Sequence, residues 1–192
     1  LAMENGRKFA RVTNSGLAVE ASAFYVHMYA EAFFENDVLT LIDQAQGKFS
    51  RRSDIYQIVD QVKRWHAENP ADWRVTREQI RLAYDHDPDW TASRVNFAST
   101  IMALFYGGGD MLDTVTIAAL AGWDADNNMT TAAGLLGIIS GFDQLPEPIR
   151  TSSDIYFNED GTGDLPRYDS VSNIAKRTTA LGLEALEREG RE

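Results

Sequence analysis

The stretch Ala121-Gly122-Trp123-Asp124-Ala125-Asp126-Asn127-Asn128, continued by Met129-Thr130-Thr131-Ala132-Ala133-Gly134-Leu135-Leu136-Gly137-Ile138-Ile139-Ser140-Gly141, is the most informative part of the chain. An apolar helical segment ends at Gly122, four loop residues follow, and a new helix is expected over Asn127 to Gly141. In loop geometry, residues two apart project to one side. Asp124 and Asp126 can then converge on one ion, with the Asn127 carboxamide oxygen beside them. A set made only of oxygens suits a hard cation such as magnesium, and not zinc. The start of a helix also favours negative charge, by about 0.3–1 kcal/mol per group. An aspartate in this place is equally suited to capping the helix, so spacing alone leaves ligand and cap both open. An EF-hand loop opening at Asp124 is excluded, because its sixth position is Met129 in place of Gly and its twelfth is Leu135 in place of Glu. Gly134, Gly137 and Gly141 fall on one face of the helix that follows. Each interior glycine costs about 1 kcal/mol relative to alanine, which leads us to expect that this face lies close to another helix or to a ligand.

Outward from this stretch the pattern is helical. The periodicity predicts helices over Gly16 to Glu35, Val38 to Gln46, from Ser53 to the stop at Asn69-Pro70, Thr76 to Tyr84 with Thr76 as cap, Arg94 to Tyr106, Asp110 to Ala121, and Ser170 to Glu189. Gly107-Gly108-Gly109 stops the most apolar of them. Thr151 to Tyr168 reads as loop, and no alternating run is long enough for a substantial strand. The fold class is all-α. A single domain over 1–192 is expected, with one shift in composition at Pro146-Glu147-Pro148, after which a polar loop and a final helix occupy 147–192.

Bulk properties narrow the function. The chain has 192 residues, 44% apolar and 24% charged, long enough to bury a core. It has no apolar run of membrane-spanning length and no secretory signal pattern at its start. The lack of cysteine rules out disulfides and thiolate metal sites, and fits a reducing compartment, so a cytoplasmic location is expected. A net charge of −11 argues against nucleic acid or anionic membrane as a general partner. The histidines, His27, His66 and His86, are too scattered for a zinc site or a Ser-His-Asp triad. The loop from Asn158 to Asp164 alternates oxygen-bearing residues, but Asp169 at its twelfth position favours a polar turn over a calcium site.

Other polar residues stand out by their place. Asn14 and Ser15 lie at a helix entrance, Glu20 within an apolar helix, and Asn96 among apolar neighbours, where a buried amide must be a structural bridge or a pocket donor. Trp123 adjoins the acidic pair and suits either stacking on a base or ribose, or a place in the core.

Met102 to Asp110, Ala121 to Asn127, Gly134-Leu-Leu-Gly137 and Gly141-Phe-Asp-Gln-Leu-Pro146 together resemble the C-terminal signature of the ADP-ribosylglycohydrolase family. Asn14 to Glu20 and Ala30 to Phe34 resemble the preceding helix, so the likeness spans about 11–146. The resemblance implies an all-α, orthogonally packed helical domain with two magnesium ions, or manganese in their place, in a central cleft. It implies that Asp124 and Asp126 match an Asp-x-Asp-Thr ligand motif and act in catalysis, with Asn127 in the place of the Thr. Asn14, Ser15, Glu20, Asn96 and Trp123 are the candidate substrate contacts. The implied reaction is hydrolysis at the ribosyl carbon of an ADP-ribosylated protein or a small ADP-ribosyl compound. The family's Thr-Asp-Asp motif does not occur in this sequence. The remaining ligands are therefore expected from an N-terminal portion outside it, as a separate chain or a longer form. Two other classes stay open: a module that binds ADP-ribose or a nucleotide without cleaving it, and a structural domain in which the aspartates only cap.

Overall fold

In the computed structural model, which describes residues 1–86, 89–158 and 166–190, the chain starts with a helix that periodicity does not announce. This helix, α1 (Ala2–Ala10), buries no residue of its own and lies along α2 (Gly16–Glu31). Gly6 lets it approach: a Cβ there would stand 3.2 Å from Val26 Cγ2. The expected helix over Gly16 to Glu35 ends at Glu31, and Ala32 to Glu35 turn back onto its last carbonyls.

Next come α3 (Val38–Gly47), α4 (Asp54–Glu68) and α5 (Trp73–Tyr84). Asp37, Ser53 and Asp72 cap them, each accepting a backbone N–H of the first turn. Asp72, not Thr76, therefore opens α5. Thr76 is wholly buried one turn in, and its hydroxyl pairs with Tyr106 Oη at 2.7 Å, which in turn donates to the Asn69 carbonyl. A hydroxyl before a helical run suits a cap by sequence alone; tertiary pairing claimed this one.

The centre is α6 (Ser93–Gly107), buried along nearly its whole length and packed against α2, α3, α4, α5, α7 (Met111–Ala121) and α8 (Ala125–Ser140). A helix apolar on all sides belongs in the middle of a bundle, because each of its faces needs cover from water. Phe97, Ile101, Met102 and Leu104 are almost fully buried, each stabilising the fold by about 1.5–3 kcal/mol relative to exposure. The passage from α6 to α7 is set by glycine. Gly108 and Gly109 take left-handed φ values of 54° and 92°, and a Cβ on Gly107 would come within 2.8 Å of the Thr114 Cα.

The chain divides into two compact units, Leu1–Pro146 and Glu147–Glu192, at the shift in composition. The second unit contains α9 (Glu147–Arg150), an antiparallel pair β1 (Ile155–Phe157) and β2 (Tyr168–Ser170), and α10 (Val171–Glu189), capped by the Ser170 hydroxyl. The loop expected over 151–168 thus holds strand β1 and the start of β2, three residues each and too short to print an alternation. Residues 159–165, with most of the acidic turn singled out above, lie outside the described residues. Among the described residues the fold is all-α apart from this pair, and no helix is long and apolar enough to cross a membrane.

Candidate metal site and its polar cavity

Helix α8 begins two residues earlier than its sequence suggests, at Ala125. The Asn128 N–H reaches the Asp124 carbonyl at 2.9 Å and closes the first turn over Ala125 to Asn127. Asp124 is therefore the residue before the helix and Asp126 lies inside its first turn, so the two are not alternate members of a loop. The side chain of Asp124 caps no backbone N–H. One of its oxygens, Oδ2, accepts the Asn127 carboxamide Nδ2 at 3.1 Å. Asp126 is exposed, and its Oδ1 accepts the Asn127 N–H at 3.0 Å.

A buried amide network fixes where this turn lies. Asn96 Oδ1 accepts the Asp124 N–H at 3.0 Å and Asn128 Nδ2 at 2.9 Å. Asn96 Nδ2 donates to the Trp90 and Ala92 carbonyls at 2.8 and 3.0 Å. Thr100 Oγ1 lies 3.0 Å from both the Asn96 carbonyl and Asn128 Oδ1. Every hydrogen-bonding position of the Asn96 carboxamide is thus taken by the protein, which makes it a bridge between the chain ahead of α6 and the start of α8. A saturated buried network of this kind specifies one arrangement, because any shift leaves a group unpaired.

Beside the network lies a cavity of about 310 Å3, lined by Asn14, Ser22, Tyr25, Thr91, Ser93, Asn96, Thr100, Asn127, Asn128 and Thr131 together with Ala18, Ala21 and Phe97. Among the described residues the lining carries hydroxyls and carboxamides and no ionised side chain. Burial pushes the Tyr25 hydroxyl well above the usual phenol range, opposed by its hydrogen bond with Thr100, so the phenol stays a donor at neutral pH. Helices α2, α6 and α8 all begin near this cavity, which is reached by Asn14 from the turn ahead of α2, by Ser93 from α6 and by Asn127 from α8.

The candidates of the sequence fall into separate places. Asn14, Asn96 and Asn127 line the cavity, and Asn14 also bonds its neighbour Thr13 through Nδ2. Ser15 occupies the N-cap position of α2 with no side-chain cap bond, and faces two neighbouring clefts. The Glu20 carboxylate is held by Arg7 at 2.7 to 3.1 Å and borders a cleft shared with Arg11, Asn14 and Ser15. The Trp123 ring lies under the Arg77 guanidinium, 4.5 Å from its centroid. Of the histidines, His27 and His66 have their pKa pushed down, in both cases first by burial. Among the described residues no three His, Cys, Asp or Glu side chains gather as a metal cluster.

The glycine face of α8 differs from expectation. The helix packs through Asn128, Ala132, Leu135 and Leu136, and the glycines lie on the other side. A Cβ on Gly134 would make only ordinary contact with Tyr29 Oη at 3.6 Å, one on Gly137 would meet nothing within 4 Å, and Gly141 ends the helix at φ 69°. Asn128, Thr100, Tyr25 and Arg77 were not singled out by sequence. Asn128 was hidden within a run of Asx residues, and the others meet the turn or the cavity from other helices.

As a donor set, two carboxylates and a carboxamide oxygen at a helix start have the chemistry that a hard dication takes. They are fewer than the six positions of magnesium, which leaves room for water and for oxygens from elsewhere. A family model described as ADP-ribosylglycohydrolase matches residues 1–181. No curated protein and no solved structure matches the chain.

Proposed function

We propose a function from one premise: the chain belongs to the ADP-ribosylglycohydrolase family. In this reading Asp124 and Asp126, with Asn127, form part of a magnesium site, and the neighbouring cavity receives the ribose of an ADP-ribosyl group. The observation that carries it is the hydrogen bond from the Asp124 N–H to Asn96, which itself lines an uncharged, hydroxyl-rich cavity together with Asn127. Such a lining matches a neutral polyol, because each sugar hydroxyl both donates and accepts. A polypeptide segment outside this sequence supplies the remaining metal ligands.

The reaction is hydrolysis. Water oxygen bonds to C1 of the ribose, the bond from C1 to the acceptor atom breaks, and the acceptor leaves with a proton. A magnesium ion held by Asp124, Asp126 and Asn127 would supply Lewis-acid chemistry. Asn96 fixes the Asp124 backbone from the wall of the cavity. The phenol of Tyr25 orients the sugar, and the net charge of −11 makes a cation the means by which an anionic diphosphate is tolerated.

A second reading has its own observation. The Asn127 amide donates into the Asp124 carboxylate, a position where the family motif carries Thr. An amide held there favours a module that binds ADP-ribose without cleaving it. Release of ADP-ribose from ADP-ribosylated protein separates the two. The assay uses the chain joined to a segment bearing the Thr-Asp-Asp motif, with magnesium or with EDTA. Magnesium-dependent release that disappears in the D124N/D126N variant is the expected outcome; tight ADP-ribose binding with no release selects the second reading.

A further inference from the structure

Between α7 and α8 the backbone takes a path that resists an ordinary side chain. Gly122 sits at φ 88° and ψ −152°, and Trp123 follows at φ 57°. Among the described residues Trp123 is the one non-glycine with positive φ. A left-handed backbone is unfavourable for a residue with a Cβ, and persists where the surroundings hold it. Asn96 holds the far end of this turn through the Asp124 N–H. The near end is held from another helix, by Arg77 of α5.

Arg77 makes two contacts that bracket the turn. Its Nε donates to the Ala121 carbonyl at 3.0 Å, at the C-terminal end of α7, where a positive charge is favoured. Its guanidinium lies over the Trp123 ring, 4.5 Å from the centroid. Glu78 is 4.0 Å from Arg77 Nη1 and is engaged more closely by Arg81, at 2.6 to 3.1 Å. The guanidinium is therefore committed to the turn. A planar fork can bond a carbonyl along its edge and cover a ring with its face, whereas a single ammonium does one or the other.

We propose that Arg77 is a positioning residue for the acidic turn: it locks the Ala121–Trp123 backbone so that Asp124, next in the chain, is held in place for a divalent cation. The inference rests on the reading of Asp124 and Asp126 as cation ligands. It touches no ligand itself and acts through Trp123 and the Ala121 carbonyl.

The test uses the full chain and the variants R77A, R77K and R81A, the last removing the neighbouring guanidinium one turn along α5. Without metal, acrylamide quenching of Trp123 is read by difference against W123F, and exchange of the Asp124 amide by mass spectrometry or NMR. The Mn2+ affinity is read by water-proton relaxation. In R77A the Trp123 ring becomes more accessible, the Asp124 amide exchanges faster, and Mn2+ affinity falls about tenfold, the lower end for loss of a group that orients metal ligands. R77K falls between R77A and wild type, and R81A matches wild type. Should R77A fail to fold, R77K carries the same readouts. Unchanged quenching and exchange in R77A, or a loosened turn with undiminished Mn2+ affinity, overturns the proposal. Wild type that takes up no Mn2+ overturns the cation reading itself, and the proposal with it.

Discussion

Asn96 shows how one side chain can govern a site without belonging to its chemistry. Its carboxamide accepts from Asp124 and Asn128 and donates to Trp90 and Ala92, at 7% exposure. Replacement by alanine leaves two donors and the Trp90 carbonyl short of a partner, while the Ala92 carbonyl keeps the backbone N–H of residue 96. We expect N96A to lose about 2–4 kcal/mol in urea unfolding, because each stranded buried group costs roughly 1–3 kcal/mol and relaxation recovers part. A loss below about 1 kcal/mol would contradict the network. An amide among apolar neighbours draws attention in the sequence, so Asn96 could be marked there as bridge or donor. Arg77 could not. Its contact with Ala121 spans 44 residues and depends on how α5 lies beside the end of α7, which no local pattern encodes.

At the scale of elements, glycine means different things at different places, and the sequence shows only that it is there. Gly107 is demanded by the close approach of α7, whereas Gly137 faces nothing within 4 Å. The two are expected to respond oppositely to alanine. G107A drives a Cβ toward the Thr114 backbone and costs about 1–3 kcal/mol from overpacking, more than the roughly 1 kcal/mol that helix propensity returns. G137A gains up to about 1 kcal/mol, since its backbone is already helical and the space is open. Thermal unfolding of both variants checks the pair, and a G107A as stable as wild type would refute the close approach. Helix existence was readable from apolar spacing, and the stop at Gly107 to Gly109 from composition. Starts were less readable. Thr76 and Asn127 each had the chemistry of a first residue, yet α5 opens at Trp73 behind Asp72, and α8 at Ala125 once Asn96 anchors Asp124. In both cases a distant partner, Tyr106 or Asn96, decided what the local sequence left open.

For the molecule as a whole, membership of the ADP-ribosylglycohydrolase family was legible in the Gly-x-Asp-x-Asp motif ahead of a glycine-rich helix, and a family match over residues 1–181 bears it out. The cavity was not legible, because its lining comes from α2, α6, α8 and the chain ahead of α6, between residues 14 and 131. The proposed hydrolysis needs a cation that joins an acidic chain to an anionic ligand, bound at Asp124 and Asp126. The most direct test is a titration of this 192-residue chain with Mn2+, following the free-ion signal by electron paramagnetic resonance, in wild type and in D124N/D126N. The account predicts saturable uptake by wild type that Mg2+ displaces and that the double variant loses while keeping its helical circular dichroism. Equal uptake by the two proteins, or none by wild type, would contradict it.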